Sequence, residues 1–174
     1  MPPSMAAPSD SRRPRKALDA GAAKQVAYDL LSRRPWSRRD LTARLRRRGA
    51  PLAVAQEVVA ALEAQGYVDD RAFARQWADG RAGRRHLGSV RLREELQRKG
   101  VPPALAGAAI RDAFAERGEE ERALEAARRR LPALRRQNAA RAAVKLRDYL
   151  LRRGYPGEVV QRVLRGLLKV GTEE

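Results

Sequence analysis

Hydrophobic positions recur with a helical period along this chain from about residue 20 onward. Leu41 and Leu45 lie one helical turn apart, and Val54, Val58 and Leu62 follow at four-residue spacing. Such spacings place apolar side chains on one face of a helix, whereas a half-buried strand would alternate them with polar residues. The intervening residues are rich in Ala, Leu, Arg and Glu, which are good helix formers. The pattern therefore predicts an all-α protein.

One motif occurs three times, at residues 45–51, 96–102 and 150–156. Each copy reads Leu-x-Arg, then Arg or Lys, then Gly-x-Pro, and the flanking apolar positions keep the same register. A glycine after a basic last turn is typical of a helix that ends in a left-handed residue. A proline two residues later is expected to open the next helix at its first position. The motif glycines are Gly49, Gly100 and Gly154.

This repetition predicts three tandem repeats, each with three helices. Ser37, with Asp40 three residues later, marks the start of the second helix in the first repeat. The third copy has Arg141 where the others have an apolar residue before that helix, so its second helix is expected to begin earlier. Short connections favour an elongated, curved row of repeats with a long groove. The repeats are placed at residues 20–66, 67–116 and 117–170, with first helices at about Ala22–Arg34, Asp70–Ala82 and Glu119–Arg130.

Residues 1–19 differ in composition from the rest of the chain. They contain four prolines and the basic residues Arg12, Arg13, Arg15 and Lys16, which predicts a disordered basic arm. The first ten residues lack the apolar core of a secretory signal. No apolar run approaches the ~20 residues that span a membrane. We therefore expect a cytoplasmic protein without membrane contact.

The charge balance narrows the class of partner. The chain has 38 Lys and Arg residues against 21 Asp and Glu residues, a formal net charge of +17. Most of the cations are arginines, whose planar fork of donors suits phosphate and carboxylate groups. A charge this large favours a polyanionic partner, with nucleic acid or a protein–nucleic acid assembly first. A coding bias toward Arg and Ala is the alternative explanation for part of the arginine excess.

Catalytic chemistry finds little support in the residue types. The chain has no cysteine and a single histidine, His86, which is expected to be a solvated loop residue. A glycine-rich phosphate loop is also missing from the sequence. The acidic residues at predicted helix starts, including Glu119, are explained by the helix dipole. We therefore expect neither an enzyme nor a bound metal or cofactor.

A distinctive segment joins the first two repeats. Phe73 and Trp77 lie at i and i+4 on one helix face, and Arg81 follows one turn later. Both a core position and a ligand contact fit the two aromatic residues, and we favour the core interpretation. The segment begins with Gly66, Tyr67, Asp69 and Asp70, of which the two acids suit a helix start.

This segment, with Gly88, the Glu95–Val101 stretch and the last motif copy, resembles the signature region of the RecX family. The resemblance covers about residues 24–168, and residues 1–19 lie outside it. It implies a three-repeat helical protein that binds the RecA recombinase or lodges in the groove of its single-stranded DNA filament. Such a protein modulates the ATPase, coprotease and strand-exchange activities of RecA in recombinational DNA repair. A monomer is expected, and filament capping and groove occupation both stay open.

The repeated cations suggest which residues bind the partner. The position shared by Arg47, Arg98 and Arg152 points away from the buried stripe, so these three are the first binding candidates. Arg46 and Arg81 are further candidates. The position of Arg48, Lys99 and Arg153 returns to the azimuth of the buried leucines, so a structural role is expected there. Two alternatives stay open: the outer cations serve solubility, or the protein binds nucleic acid generally without a RecA partner.

Overall fold

The computed structural model describes residues 17–134 and 136–170, with side chains described to residue 167. Within those ranges every regular element is helical and no strand occurs, which confirms the all-α prediction. None of the described helices is long and apolar enough to cross a membrane. The helices are α1 (Ala20–Arg33), α2 (Arg38–Arg47), α3 (Leu52–Ala64), α4 (Asp70–Arg84), α5 (Ser89–Arg98), α6 (Pro103–Ala113), α7 (Glu119–Arg130), α8 (Ala139–Arg153) and α9 (Gly157–Val170). A short 3₁₀ helix (Leu131–Leu134) follows α7, and the predicted arm lies outside the described residues except for residues 17–19.

Most helix boundaries follow from local signals. Ser37 caps α2, as predicted, by accepting the amide hydrogen of Asp40 at 3.2 Å. The expected early start of α8 is confirmed, since Asn138 caps it and the helix begins at Ala139. One expectation is wrong by a residue: Pro51 and Pro102 occupy the cap position before α3 and α6, not the first helical position. Their extended ψ angles continue the turn that the preceding glycine begins.

Each repeat has a hydrophobic core of its own. The second helix of each repeat contributes two fully buried leucines, and small alanines of the first helix let the helices approach closely. All the extensive helix pairs lie within one repeat. The structure is therefore a set of three-helix units, and contacts between the units must be found elsewhere.

Polar contacts join the first and second repeats. The end of α5 rests on the start of α2, where the Ser37 hydroxyl donates to the carbonyl of Lys99 at 2.7 Å. Asp70 at the start of α4 accepts the amide hydrogen of Arg38 at 2.9 Å. The Lys99 ammonium also pairs with the Asp40 carboxylate at 2.6 Å. These contacts form what we call the first junction.

The second junction repeats this arrangement between the second and third repeats. The end of α8 rests on the start of α5, where the amides of Gly88 and Val90 donate to the carbonyls of Arg153 and Gly154 at 2.9 and 3.0 Å. Glu119 at the start of α7 accepts the amide hydrogen of the first α5 residue at 2.6 Å. Since each junction joins the end of one second helix to the start of another, α8, α5 and α2 follow one another head to tail.

The motif glycines serve both the helix ends and the junctions. All three have left-handed backbones, with φ of 102° at Gly49, 75° at Gly100 and 84° at Gly154, as the motif predicted. A Cβ on Gly100 would overlap the side chain of Arg39, and one on Gly154 would overlap the backbone of Arg91. A Cβ on Gly49 would meet nothing within 4 Å. The difference arises because no repeat docks onto the end of α2.

The segment before α1 occupies that free end of the row. The Leu18 amide donates to the carbonyl of Gly49 at 3.1 Å, as the Val90 amide does to Gly154 in the second junction. Leu18 also packs against the core of the first repeat, and Asp19 caps α1. Residues 17–19 therefore close the end of α2 with one bond of the kind that a neighbouring repeat would make.

Candidate functional site: an arginine-lined groove

A groove lined by arginines crosses the junctions on one side of the row. One hollow of about 460 Å³ lies between the first and second repeats, and another of about 680 Å³ lies between the second and third. Arg84 and Arg85 at the end of α4 line both hollows and so connect them. A smaller hollow of about 260 Å³ shares Arg81 with the first hollow and Glu95 with the second. We call this surface the arginine groove, and its cations are Arg34, Arg81, Arg84, Arg85, Arg91, Arg98, Lys99, Arg152 and Arg153.

Among the residues that the structure describes, Glu95 is the only acidic side chain that lines these three hollows, and it organises their inner wall. Its Oε2 accepts from the Trp77 indole at 3.1 Å and from the Arg81 guanidinium at 2.5 Å. Its Oε1 lies 3.5 Å from the Arg91 guanidinium. One largely buried carboxylate therefore contacts an indole, the mostly buried Arg81 and the more exposed Arg91.

Aromatic stacking extends this inner wall. The rings of Phe73 and Trp77 stack with centroids 5.4 Å apart, and the Arg81 guanidinium lies 3.3 Å from the Trp77 ring centroid. The Lys99 ammonium lies 5.1 Å from the same centroid. Phe73 is buried, as the core interpretation expected, whereas Trp77 is only partly buried and lines two of the hollows. The ring faces are thus occupied by protein groups, and the cations beyond them carry the external chemistry.

Five cations of the groove face solvent, and within the described ranges none of them forms a salt bridge. Unpaired guanidinium groups are free to form bidentate contacts with phosphate or carboxylate. Because they come from all three repeats, the surface suits an extended anionic ligand better than a small one. The five are Arg34, Arg84, Arg85, Arg98 and Arg152.

The residues predicted to bind a partner fall into three groups. Arg98 and Arg152 are exposed and belong to the arginine groove. Arg47 is exposed at the end of α2 but lines none of the three hollows of the arginine groove. Arg46 lines a separate hollow of about 490 Å³. Arg81 lines two of the hollows and its guanidinium is bound to Glu95 within the second repeat, so its contact with a partner stays a prediction.

The position of Arg48, Lys99 and Arg153 has a structural role in two of its three copies. Lys99 and Arg153 are half-buried because they lie at the two junctions, and each also lies about 5.1 Å from an aromatic ring at the edge of its own core, Trp77 and Tyr149 respectively. The Arg153 guanidinium donates to the carbonyl of Arg85 across the second junction. Arg48 occupies the free end of the row and is exposed. The junction, which the sequence did not predict, explains the difference between the three copies.

The segment at residues 66–70 positions α4. Gly66 ends α3 with φ of 76°, and Asp69 caps α4 by accepting the amide hydrogens of Arg71 and Ala72. Asp70 is buried in the first junction, where burial raises the pKa of its carboxyl although the Arg38 amide stabilises the ionised form. Among the described residues, no group of three His, Asp or Glu side chains could hold a metal ion. Tyr67 is 57% exposed and packs edge-on against Tyr28.

His86 departs from the expected solvated loop residue. It is half-buried at the second junction with a left-handed backbone, φ 49°, and its Nδ1 has no hydrogen-bond partner. Burial, together with the charge of Arg129 on α7, lowers the pKa of its imidazole. The expectation failed because the sequence did not reveal that the third repeat packs over this loop.

Sequence reasoning missed half of the groove. Arg34, Arg84, Arg85 and Arg91 were not chosen because they lie outside the repeated motif, and only the junctions bring them together. The consecutive Arg84 and Arg85, the last residue of α4 and the residue after it, were the available signal. Cations where a helix leads into a loop are more exposed to a partner than cations within a helix.

Comparison with known protein families assigns each repeat. Residues 23–62, 69–110 and 118–164 match the models described as RecX first, second and third three-helix domain, respectively. Together they include most of the chain, in the order of the structural repeats.

Individual relatives agree with that assignment. The chain is 34% identical to the regulatory protein RecX of Streptomyces coelicolor over 87% of this chain and 80% of that one. It is 36% identical to the regulatory protein RecX of Thermobifida fusca over 82% and 77% of the two chains. The crystal structure of RecX from Lactobacillus salivarius superposes with a TM-score of 0.75 at 15% identity, covering 86% of this chain and 96% of that one, which supports the fold. The chain therefore belongs to the RecX family.

Proposed function

We propose that this protein regulates the RecA recombinase by binding the RecA–single-stranded DNA filament through the arginine groove. The observation that carries the proposal is the row of five exposed, unpaired groove cations contributed by all three repeats. The relatives named as regulatory proteins support a regulatory role rather than a catalytic one.

The groove chemistry fits a nucleoprotein filament. Arginine forks bind phosphates along a strand and carboxylates on a protein surface equally well. A filament presents both at regular intervals, so three repeats in a row engage it more tightly than a single repeat would. A protein bound along the filament in this way would obstruct ATP hydrolysis and strand exchange by RecA.

General binding of nucleic acid, without a RecA partner, is the second candidate function. The same unpaired cations favour it, because phosphate contacts are sequence-independent and driven by counterion release. A general binder must cover the DNA and so acts only near stoichiometric amounts. A filament regulator acts at concentrations well below that of the DNA sites.

The test is RecA ATP hydrolysis on single-stranded DNA, titrated with the full chain. We expect suppression at substoichiometric protein, and a rise of about tenfold in the required concentration when three groove cations are neutralised. The variant is Arg84→Gln, Arg85→Gln and Arg152→Gln combined. Its control removes three exposed arginines outside the groove, Arg71→Gln, Arg93→Gln and Arg128→Gln, and should leave suppression unchanged. Equal losses in both variants would show that net charge alone matters.

Salt dependence separates the two candidate functions. Binding to single-stranded DNA alone should be weak and steep in salt, because counterion release dominates it. Binding to the assembled filament should be tighter and less steep, since burial of protein surface contributes. Coincident affinities and slopes would establish the general nucleic-acid binder instead.

The repeated motif cations provide a further comparison. Neutralising Arg47, Arg98 and Arg152 together should weaken filament binding with little change in the thermal midpoint, because all three side chains are exposed. Arg98→Gln with Arg152→Gln should produce most of that effect, since Arg47 lies outside the groove. A full effect from Arg47→Gln alone would move the binding surface to the end of α2.

A further inference from the structure

Helix α8 exposes two aliphatic side chains on the face opposite its core. Val144 is 51% exposed and Leu151 is 44% exposed, while Leu146 and Leu150 are buried. At about 100° per residue, a separation of seven residues returns to within about 20° of the same azimuth. Among the side chains that the structure describes, up to residue 167, no other helix exposes two large hydrophobic residues. We call Val144, Leu151 and the four cations beside them the α8 stripe.

The repeats themselves show that this apolar pair is not required by the fold. The corresponding residues are Arg39 and Arg46 in α2, and Val90 and Gln97 in α5. Both other second helices therefore carry at least one polar residue at this pair of positions and still form the same core. Contiguous exposed apolar surface, especially where polar residues surround it, marks interaction sites more often than singly exposed hydrophobic residues do.

Charge restricts what the stripe can bind. Four exposed cations flank the two aliphatic side chains, at Arg141, Lys145, Arg147 and Arg152. Asp148 is the one acidic residue among them, and the Arg147 guanidinium binds it at 3.1 Å. A second copy of this chain would bring the same cations against them, so charge repulsion disfavours self-association. The complementary surface is acidic with an apolar centre.

We propose that the α8 stripe docks an acidic amphipathic helix of a partner protein. Apolar residues at i, i+3 or i+4, and i+7 of such a helix pack on Val144 and Leu151, and flanking carboxylates pair with the cations. A nucleic-acid backbone would use the cations and leave the two aliphatic side chains in water. The stripe is separate from the arginine groove except for Arg152, and the proposal does not rest on RecA binding.

A designed peptide tests this proposal with the full chain. The probe is a fluorescent helical peptide of about 20 residues with leucine at heptad spacing and glutamate at the flanking positions. Its control has the same composition with the leucines distributed around the helix. Binding is measured by fluorescence anisotropy, and amide chemical shifts locate the contact.

Two protein variants complete the design. Val144→Ser with Leu151→Ser removes the apolar pair, and Leu52→Ser with Tyr67→Ser removes two equally exposed hydrophobics elsewhere. All four side chains are at the surface, and circular dichroism verifies that both variants fold. We expect the α8 variant to bind the peptide about tenfold or more weakly than wild type, and the control variant to bind it normally. The changes in amide chemical shift on peptide binding should centre on residues 140–152.

Several outcomes would overturn the proposal. These are no peptide binding, equal binding of the redistributed peptide, or an equal loss in the two variants. Displacement of the peptide by oligo(dT) would assign the stripe to nucleic acid instead. Since the α8 variant keeps every exposed groove cation, its suppression of RecA ATP hydrolysis reports on the groove separately.

Discussion

Alanine substitutions at the motif glycines separate two contributions that occur together in the repeats. The left-handed backbone alone disfavours alanine by roughly 1–2 kcal/mol. Gly49 isolates this contribution, because its φ is 102° and a Cβ there would meet nothing within 4 Å. Gly66, with φ of 76° and equally open surroundings, gives a second measurement of it. Both variants should be destabilised by only that amount.

The second junction adds to this cost at Gly154. A Cβ on Gly154 would lie 2.5 Å from the backbone nitrogen of Arg91 and 2.8 Å from its Cα, so the two helix ends must separate. Separation loses the bonds that the Gly88 and Val90 amides make across the junction. At about 1 kcal/mol each, Gly154→Ala should destabilise by roughly 3–4 kcal/mol in total. The destabilisation by Gly100→Ala should lie between those of Gly49→Ala and Gly154→Ala, because a Cβ there overlaps only the Arg39 side chain, which is able to move.

Gly88→Ala isolates the junction contribution. Its φ of −83° suits any residue, yet a Cβ would lie 2.5 Å from the carbonyl carbon of Gly154 and from the Tyr155 nitrogen. We expect a loss of about 2 kcal/mol without any left-handed strain. Urea denaturation followed by circular dichroism measures all five variants, with hydrogen exchange to detect separate unfolding of repeats. If Gly88→Ala is harmless, or Gly154→Ala matches Gly49→Ala, the junctions contribute no stability.

Three further predictions concern buried polar groups. Because burial raises the pKa of Asp70, the free energy of unfolding should fall as pH rises above 3.8 and the carboxyl ionises. In urea denaturation at pH 7, Asp70→Asn should therefore be at least as stable as wild type, whereas Asp70→Ala should lose about 1 kcal/mol. Because the pKa of His86 is lowered, the thermal midpoint should fall as pH drops through 6.5. His86→Asn should remove this pH dependence of the thermal midpoint, and an unchanged dependence would assign it to other groups. Glu95→Gln should destabilise the protein by about 1–2 kcal/mol and alter Trp77 fluorescence. Its control, Glu94→Gln at an exposed position, should change stability by less than about 0.5 kcal/mol, and equal effects would argue against an organising role for Glu95.

Local features of the fold could be predicted because they depend on neighbours in sequence. The buried leucines, the motif glycines and the Ser37 cap all follow from spacing within about one helical turn. Even the early start of α8 was visible, because Arg141 replaced the apolar residue that precedes the other second helices. These signals act over a few residues and therefore survive without knowledge of tertiary contacts.

The groove could not be predicted in the same way. The bond between Arg81 and Glu95 was not predicted, because Glu95 lies 14 residues away and the sequence neighbours of Arg81 give no sign of it. Arg84 and Arg153 meet only because the end of α8 docks onto the start of α5. Both junctions join residues 30 or more positions apart through single hydrogen bonds, which leave no periodic signal.

The two junctions differ in charge, and this difference links the fold to binding. At the first junction, Lys99 faces Asp40 and forms an ion pair. The residues at the same two positions of the second junction are Arg153 and Arg91. Arg91 pairs with Glu95 on its own helix, and Arg153 donates to a backbone carbonyl instead of forming an ion pair across the junction. An anionic ligand in the second hollow would give Arg153 a charge partner as it binds. Ligand binding should therefore stabilise the second junction more than the first, because only there does the anion supply the charge partner that the protein lacks.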